Sequence, residues 1–286
     1  MANAPKMKWT FMSLQIQDEI RKGKMTFAEM FPRARAAGFV AYDATDGDAE
    51  FAGREEVLRL CAGAGLEIAD YIHWVHMAAP TADGVREAVE SGCQAVHTAL
   101  SFGTNKLMIV ERVTPEDLAR MTREAAAERL AEALDQISRY AASQGVTAMV
   151  EDYPEPRLPM CSSREMLRLL KAAPDLRLIL DTGNMLAQKE DPMAFYEALK
   201  GYVAHVHLKD IEYPEPSAAG DVDCDGRRIR NAQHGEGVVD FAALLPSLKR
   251  DGFGGYVTVE YGPHEGTKDH FEKMAESIRY LEGLLA

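Results

Sequence analysis

Short apolar runs alternate with amphipathic stretches along the whole chain, a pattern that predicts repeated strand–helix units. The first strand is expected over 8–15, with a helix around 26–37. The second strand follows at 38–43 and its helix at 50–64, the third strand at 66–73 and its helix at 81–91. Gly92-Cys-Gln-Ala-Val-His97 reads as the fourth strand. A long helix is then expected from Pro115 to Ser143, opened by Thr114-Pro-Glu-Asp117, where proline at the first turn and two acids mark a helix start. Four further strands are expected at 146–151, 177–181, 203–207 and 256–260, with helices near 163–172, 192–199, 240–250 and 267–285. Ala37-Gly38, Ala64-Gly65 and Gln144-Gly145 read as helix C-caps. Eight such units predict an α/β protein, one (β/α)8 barrel spanning 1–286 as a single domain.

One segment interrupts this rhythm. Residues 211–237 are rich in Pro, Gly and charge and are long for a strand–helix connection. The segment directly follows the seventh strand, so it is expected over the catalytic face as a lid or substrate loop. Asp221-Val-Asp-Cys-Asp-Gly226 imitates the start of a calcium loop, but Ala232 stands where the required Glu would be, and that reading is rejected.

The last four strands carry the chemistry. Each ends in or near a metal-binding donor: Glu151, Asp181, His207 and Glu260. A single acid at a strand end is commonly a helix cap or an arginine's partner. Four donors at four strand ends converge only in a closed parallel sheet, whose C-terminal rim is where such barrels keep their active sites. Two Glu, one Asp and one His suit one divalent ion that prefers oxygen, Mn²⁺, Mg²⁺ or Co²⁺, with Zn²⁺ as a further candidate. His205 and His207 share a strand face by period two. His207 lies nearer the rim and is taken as the ligand, and His205 as packed or supporting. For substrate contacts the sequence offers His73, His97, Asn184, Lys209, Asp210 and His234, with His76, Trp9, Trp74 and the loop arginines Arg227, Arg228 and Arg230 as weaker candidates.

The formal net charge of −13 in 286 residues argues against a nucleic-acid partner. Its four cysteines are scattered without a paired spacing, which fits a reduced cytoplasmic protein. No apolar run reaches the roughly 20 residues of a membrane helix, so no membrane association is expected.

Glu151-Asp-Tyr, Leu180-Asp-Thr-Gly-Asn184, His205-Val-His-Leu-Lys-Asp210, His234-Gly-Glu-Gly-Val-Val-Asp240 and Val257-Thr-Val-Glu260 resemble, in order, the motifs of the xylose-isomerase-like barrel superfamily. That superfamily includes ketose 3-epimerases, hydroxypyruvate isomerase, inosose dehydratase and endonuclease IV. The resemblance implies one catalytic divalent metal on Glu151, Asp181, His207 and Glu260. It also implies proton transfer by Glu151 and Glu260 through a metal-stabilised enediolate, a small sugar or polyol substrate, and often a homo-oligomer. Two departures narrow it. Endonuclease IV-like members need a His where Asn184 stands and an Asp-x-His where Ala232-Gln-His234 stands. Ketose 3-epimerases usually carry a His at the Asn184 position and an Arg at the Tyr213 position. An isomerase or epimerase is therefore the first expectation and a dehydratase of a cyclic polyol or hydroxy-keto acid the alternative. An abasic-site endonuclease or a non-catalytic binding barrel fits less well.

Overall fold

The computed structural model describes residues 6–261 and 269–286. Its strands in chain order are β1 Lys8–Met12, β2 Ala41–Thr45, β3 Glu67–Val75, β4 Lys106–Glu111, β5 Thr147–Glu151, β6 Arg177–Asp181, β7 Val203–Leu208, β8 Asp210–Glu212, β9 Asp221–Val222, β10 Arg228–Ala232 and β11 Tyr256–Val259. The helices are α1 Gln17–Arg21, α2 Phe27–Ala37, α3 Asp46–Ala52, α4 Arg54–Ala64, α5 Ala82–Ser101, α6 Pro115–Arg120, α7 Arg123–Ser143, α8 Ser163–Ala172, α9 Pro192–Leu199, α10 Phe241–Arg250 and α11 His270–Leu285. Eight strands form a closed barrel in the order β1-β11-β7-β6-β5-β4-β3-β2, and the fold is the expected (β/α)8 barrel. Every registered pair within it is parallel.

By contact density the chain forms two compact units, one of residues up to Ala69 together with those from His205 onward, the other Asp70–Ala204. In the first, Phe11 lies 5.0 Å from both Phe39 and Tyr42, ring centre to ring centre, and 6.2 Å from Phe271 of α11. Burying a side chain such as Phe11 completely contributes about 2–3 kcal/mol. In the second, α5 crosses α7 so closely that a Cβ on Gly92 would stand 2.5 Å from Ile137. A larger residue there would require the Ile137 side chain to move.

The helix boundaries follow local chemistry. Thr26 and Glu29 form a reciprocal capping box at the start of α2, and Gly38 closes that helix at φ 111°. Gly65 and Gly145 take positive φ after α4 and α7, as their positions predicted.

The fourth strand differs from the expectation. Gly92–His97 lies inside α5, and β4 is Lys106–Glu111. A short run of Cys, Ala and Val packs equally well on a helix, and Val85, Ala88, Gly92, Ala95, Val96 and Ala99 are buried at helical spacing. The long helix expected over 115–143 is broken into α6 and α7, because Thr122 caps a second start by accepting from the Ala125 N–H. The segment 211–237 has structure of its own: β8, β10 and β9 form an antiparallel three-stranded sheet. No helix among the described residues is long and apolar enough to cross a membrane.

Candidate metal centre

Strands β7 and β11 run in parallel register, with Thr258 beside His207. His207 is buried, and its Nδ1 lies 3.6 Å from Oε2 of Glu260, the residue directly after β11. The Glu260 N–H donates to Leu208 O at 2.8 Å, so the ladder continues far enough to hold its side chain. Lys209 brings its ammonium 2.9 Å from Glu260 Oε1. Burial alone would raise the Glu260 carboxyl, but the Lys209 charge and then His207 overcome it and hold the group well below the usual carboxylate range.

Asp181 ends β6 and also shapes the turn that follows. Its Oδ1 accepts from the Gly183 and Asn184 N–H groups at 2.7 Å each, which starts a short 3-10 turn. Glu151 ends β5. Glu151, Asp181, His207 and Glu260 each offer one donor atom, and those atoms all lie within 4.8 Å of one another.

A second group shares one member. Asp43, His205 and His207 also offer donors within 4.8 Å of one another, and all three are buried. Thr10 and Thr258 each donate a hydroxyl hydrogen bond to Asp43, at 2.9 Å to Oδ1 and 2.9 Å to Oδ2. His205 Nε2 lies 2.8 Å from Thr258 Oγ1. The sequence offered a signal for this network, an acid ending the second strand and threonines at matching strand positions, but it was not read as a cluster.

The substrate-contact candidates fare differently. His97 lies on α5, where its Nε2 pairs with Tyr140 Oη at 2.7 Å across to α7; placing it at a strand end is corrected. His73 is on β3, and its Nε2 pairs with Ser91 Oγ of α5 at 2.9 Å, a contact on the helix side of the strand. Asn184 is buried, and its amide donates to Asp152 O at 2.8 Å, tying together the turns after β5 and β6. Both ring nitrogens of His234 are engaged, Nε2 with Leu208 O at 2.8 Å and Nδ1 with Ser277 Oγ at 2.9 Å. Burial holds that imidazole below its usual range, against the Leu208 carbonyl, Asp210 and Glu260, which favour its charged form.

Asp210 is a staple. Oδ1 accepts from Ile211 N at 2.9 Å and Val239 N at 3.1 Å, and Oδ2 from Gly235 N and Gly237 N at 2.9 Å each. A Cβ on Gly237 would stand 2.2 Å from that carboxylate. The loop arginines are also engaged within their hairpin: Arg227 covers the Tyr213 ring at 3.6 Å, Arg228 donates to Gly220 O, and Arg230 pairs with Glu212. Asp223 accepts from Asp225 N and Arg227 N, so it closes the hairpin tip. Trp9 donates to Glu282 of α11.

One strand-end acid escaped the sequence reading because its strand was displaced. Glu111 ends β4, is buried, and accepts from Met77 N and Ala78 N at 3.0 and 3.1 Å. Burial pushes its carboxyl up to about 8; the two amides pull it back and Asp117 adds to the rise. The run Leu107-Met-Ile-Val110, bounded by polar residues, was the available signal.

Comparison with known proteins adds to this geometry. Residues 19–284 match the family model described as xylose isomerase-like TIM barrel. Inosose dehydratase of Lacticaseibacillus casei is 20% identical over 170 residues, which cover 55% of this chain and 54% of that protein. Fructoselysine 3-epimerase of Escherichia coli O157:H7 is 27% identical over 135 residues, 46% of this chain and 44% of the relative. The chain therefore spans about half the length of these curated relatives. A solved structure described as IOLI protein with a binding zinc atom superposes with a TM-score of 0.74 at 16% identity, covering 96% of each chain. At that identity the likeness concerns the fold.

Proposed function

This chain belongs to the xylose isomerase-like TIM barrel family, and from that premise we propose that it is a divalent-metal-dependent enzyme that moves a proton beside the carbonyl of a small sugar or polyol. The observation that carries this reading is the group Glu151, Asp181, His207 and Glu260, with donor atoms within 4.8 Å. Three carboxylates and one imidazole fit the charge and ligand preference of Mn²⁺, Mg²⁺ or Co²⁺ and are also compatible with zinc, the metal named for the IOLI protein. When bound, the ion supplies a Lewis acid that stabilises negative charge developing on substrate oxygens.

The chain's own residues do the remaining work. Asp181 and His207 hold position, Asp181 through its turn amides. Glu151 and Glu260 come from separate strands and act as the proton-moving pair, one removing the proton and the other returning it. Lys209 sets its ammonium beside Glu260 and keeps that carboxylate ionised. Return of the proton to the opposite face gives an epimerase, and to the neighbouring carbon an isomerase.

Loss of water from the same carbanion is the second reading. It is favoured by the dehydratase name of the Lacticaseibacillus casei relative and by Lys209, an acid suited to protonate a departing hydroxyl. Incubating metal-loaded protein with ketoses and inososes in D₂O separates the readings. Deuterium entering an unchanged carbon skeleton supports the isomerase or epimerase. Rising ultraviolet absorbance from a conjugated product supports the dehydratase. Either signal must vanish in Glu151→Gln; a signal that survives this change refutes the assignment of Glu151.

A further inference from the structure

We propose that Trp74 is a stacking platform in the mouth of the barrel, and that the substrate it selects is a neutral cyclic polyol whose ring lays its C–H face on the indole. The proposal rests on the metal reading above and narrows its substrate class. Side chains along β3 alternate between the helix side and the barrel interior. The Tyr71 ring lies 5.0 Å from that of Phe102, directly after α5, and His73 Nε2 meets Ser91 Oγ of α5 at 2.9 Å. Those two residues face the helices, so Ile72 and Trp74 face the interior.

Trp74 pairs in parallel register with Val110 of β4. One step beyond the Ile109 and Val150 pair, Val110 comes beside Glu151 of β5. Three neighbouring strands of the Asp70–Ala204 unit thus set an indole, an isopropyl group and a carboxylate side by side. The interior layer beneath them is closed, with Ile72, Met108 and Met149 at 1%, 4% and 0% exposure. Trp74, Val110 and Glu151 are each only partly buried. The interior of such a barrel is packed, so interior positions regain exposure where its mouth opens. Trp74 is therefore wall, not core.

The chemistry of this wall decides what binds on it. An indole face with a valine beside it offers apolar area and no charge, which suits C–H groups and not a phosphate. Neighbouring strands lie about 4.8 Å apart, so the β3 and β5 backbones stand at most about 10 Å apart. One six-membered ring with its hydroxyls bridges that span, its face on Trp74 and its edge toward Glu151. A ring turns several C–H bonds to one side and holds them there, a rigid patch matched to a rigid indole. An open-chain polyol gives up torsional freedom to present the same patch.

The chain has two tryptophans. Trp9 is 4% exposed and donates its indole N–H to Glu282, and Trp9→Phe leaves Trp74 as the sole indole emitter. Zinc-loaded Trp9→Phe is titrated with myo-inositol and with sorbitol, its open-chain counterpart, while emission is followed. Calorimetry gives dissociation constants of both polyols for zinc-loaded wild type, Trp74→Phe and Trp74→Leu. The platform predicts a saturable emission change with myo-inositol, and binding at least ~10-fold tighter than that of sorbitol. Trp74→Leu is expected to weaken myo-inositol about 10-fold and Trp74→Phe no more than about threefold, with zinc content unchanged in both. Emission unmoved by myo-inositol, sorbitol bound as tightly, or wild-type affinity in Trp74→Leu overturns the platform while leaving the metal reading intact. The emission titration alters nothing at Trp74 and decides the matter should Trp74→Leu misfold. No zinc retained by wild type overturns the metal reading and the platform with it.

Discussion

Lys209 holds its ammonium 2.9 Å from the Glu260 carboxylate, in a pair whose side chains are only 10% and 21% exposed. The pair explains how a carboxylate largely removed from water stays charged. In Lys209→Met the offsetting charge is gone and the Glu260 carboxyl rises. A carboxyl depressed in the native state contributes stability above its unfolded value and loses it as pH falls through the native value. Lys209→Met is therefore expected to lose stability at a higher pH than wild type on acidification, and to cost on the order of 2 kcal/mol near neutrality. Denaturant unfolding across the acid range checks both; superimposable profiles refute the role of Lys209.

Glu111 behaves in the opposite sense. With its carboxyl pushed up to about 8 from an ordinary 4.5, the native chain keeps a proton that the unfolded chain releases between those values. Wild-type stability is then expected to fall as pH rises through that window and to level off above it, with each pH unit worth about 1.4 kcal/mol at most. Glu111→Gln keeps an acceptor for Met77 N and Ala78 N and has no proton to lose. Its stability relative to wild type should increase from pH 5 to pH 8. A constant difference between the two proteins across that range contradicts the assignment.

Asp210→Asn tests whether that carboxylate serves the loop or a substrate. Four backbone donors lose a charged acceptor, and a loss of about 2–4 kcal/mol is expected. Limited proteolysis should accelerate between Tyr213 and Gly237. Gly237→Ala, which drives a methyl into the same carboxylate, should reproduce the proteolytic pattern. Unchanged stability with a raised KM would return Asp210 to the substrate.

His97→Ala removes a contact between α5 and α7. Turnover of whichever sugar or polyol proves active is expected to stay within about twofold, with a stability loss of about 1 kcal/mol. A large fall in kcat would contradict its helical placement.

The barrel strands and the four candidate donors stood out in the sequence for the same reason. Strands β5 and β6 are short apolar runs that stop at Glu151 and Asp181, β7 carries His207 one residue before its end, and Glu260 directly follows β11, so strand end and donor nearly coincide in sequence. β4 was misplaced because an apolar run of a few residues suits a helix face as well as a strand, and His97 went with it. For Asp210, His234 and Asn184 the hydrogen-bond partners are far apart in sequence: Asp210 with Gly235, His234 with Ser277, Asn184 with Asp152. Residue type and local spacing say nothing about such pairings. The network of Asp43, Thr258 and His205 joins three strands and was hidden for the same reason.

The central claim is that one divalent ion sits on Glu151, Asp181, His207 and Glu260. Elemental analysis after chelation and reloading tests it most directly, on wild type and on the double variant His207→Ala with Glu260→Ala. The account predicts one Mn, Mg, Co or Zn ion per chain in wild type and none retained in the double variant, with circular dichroism showing both folded. No tightly held ion in wild type, or one that persists in the double variant, would contradict it.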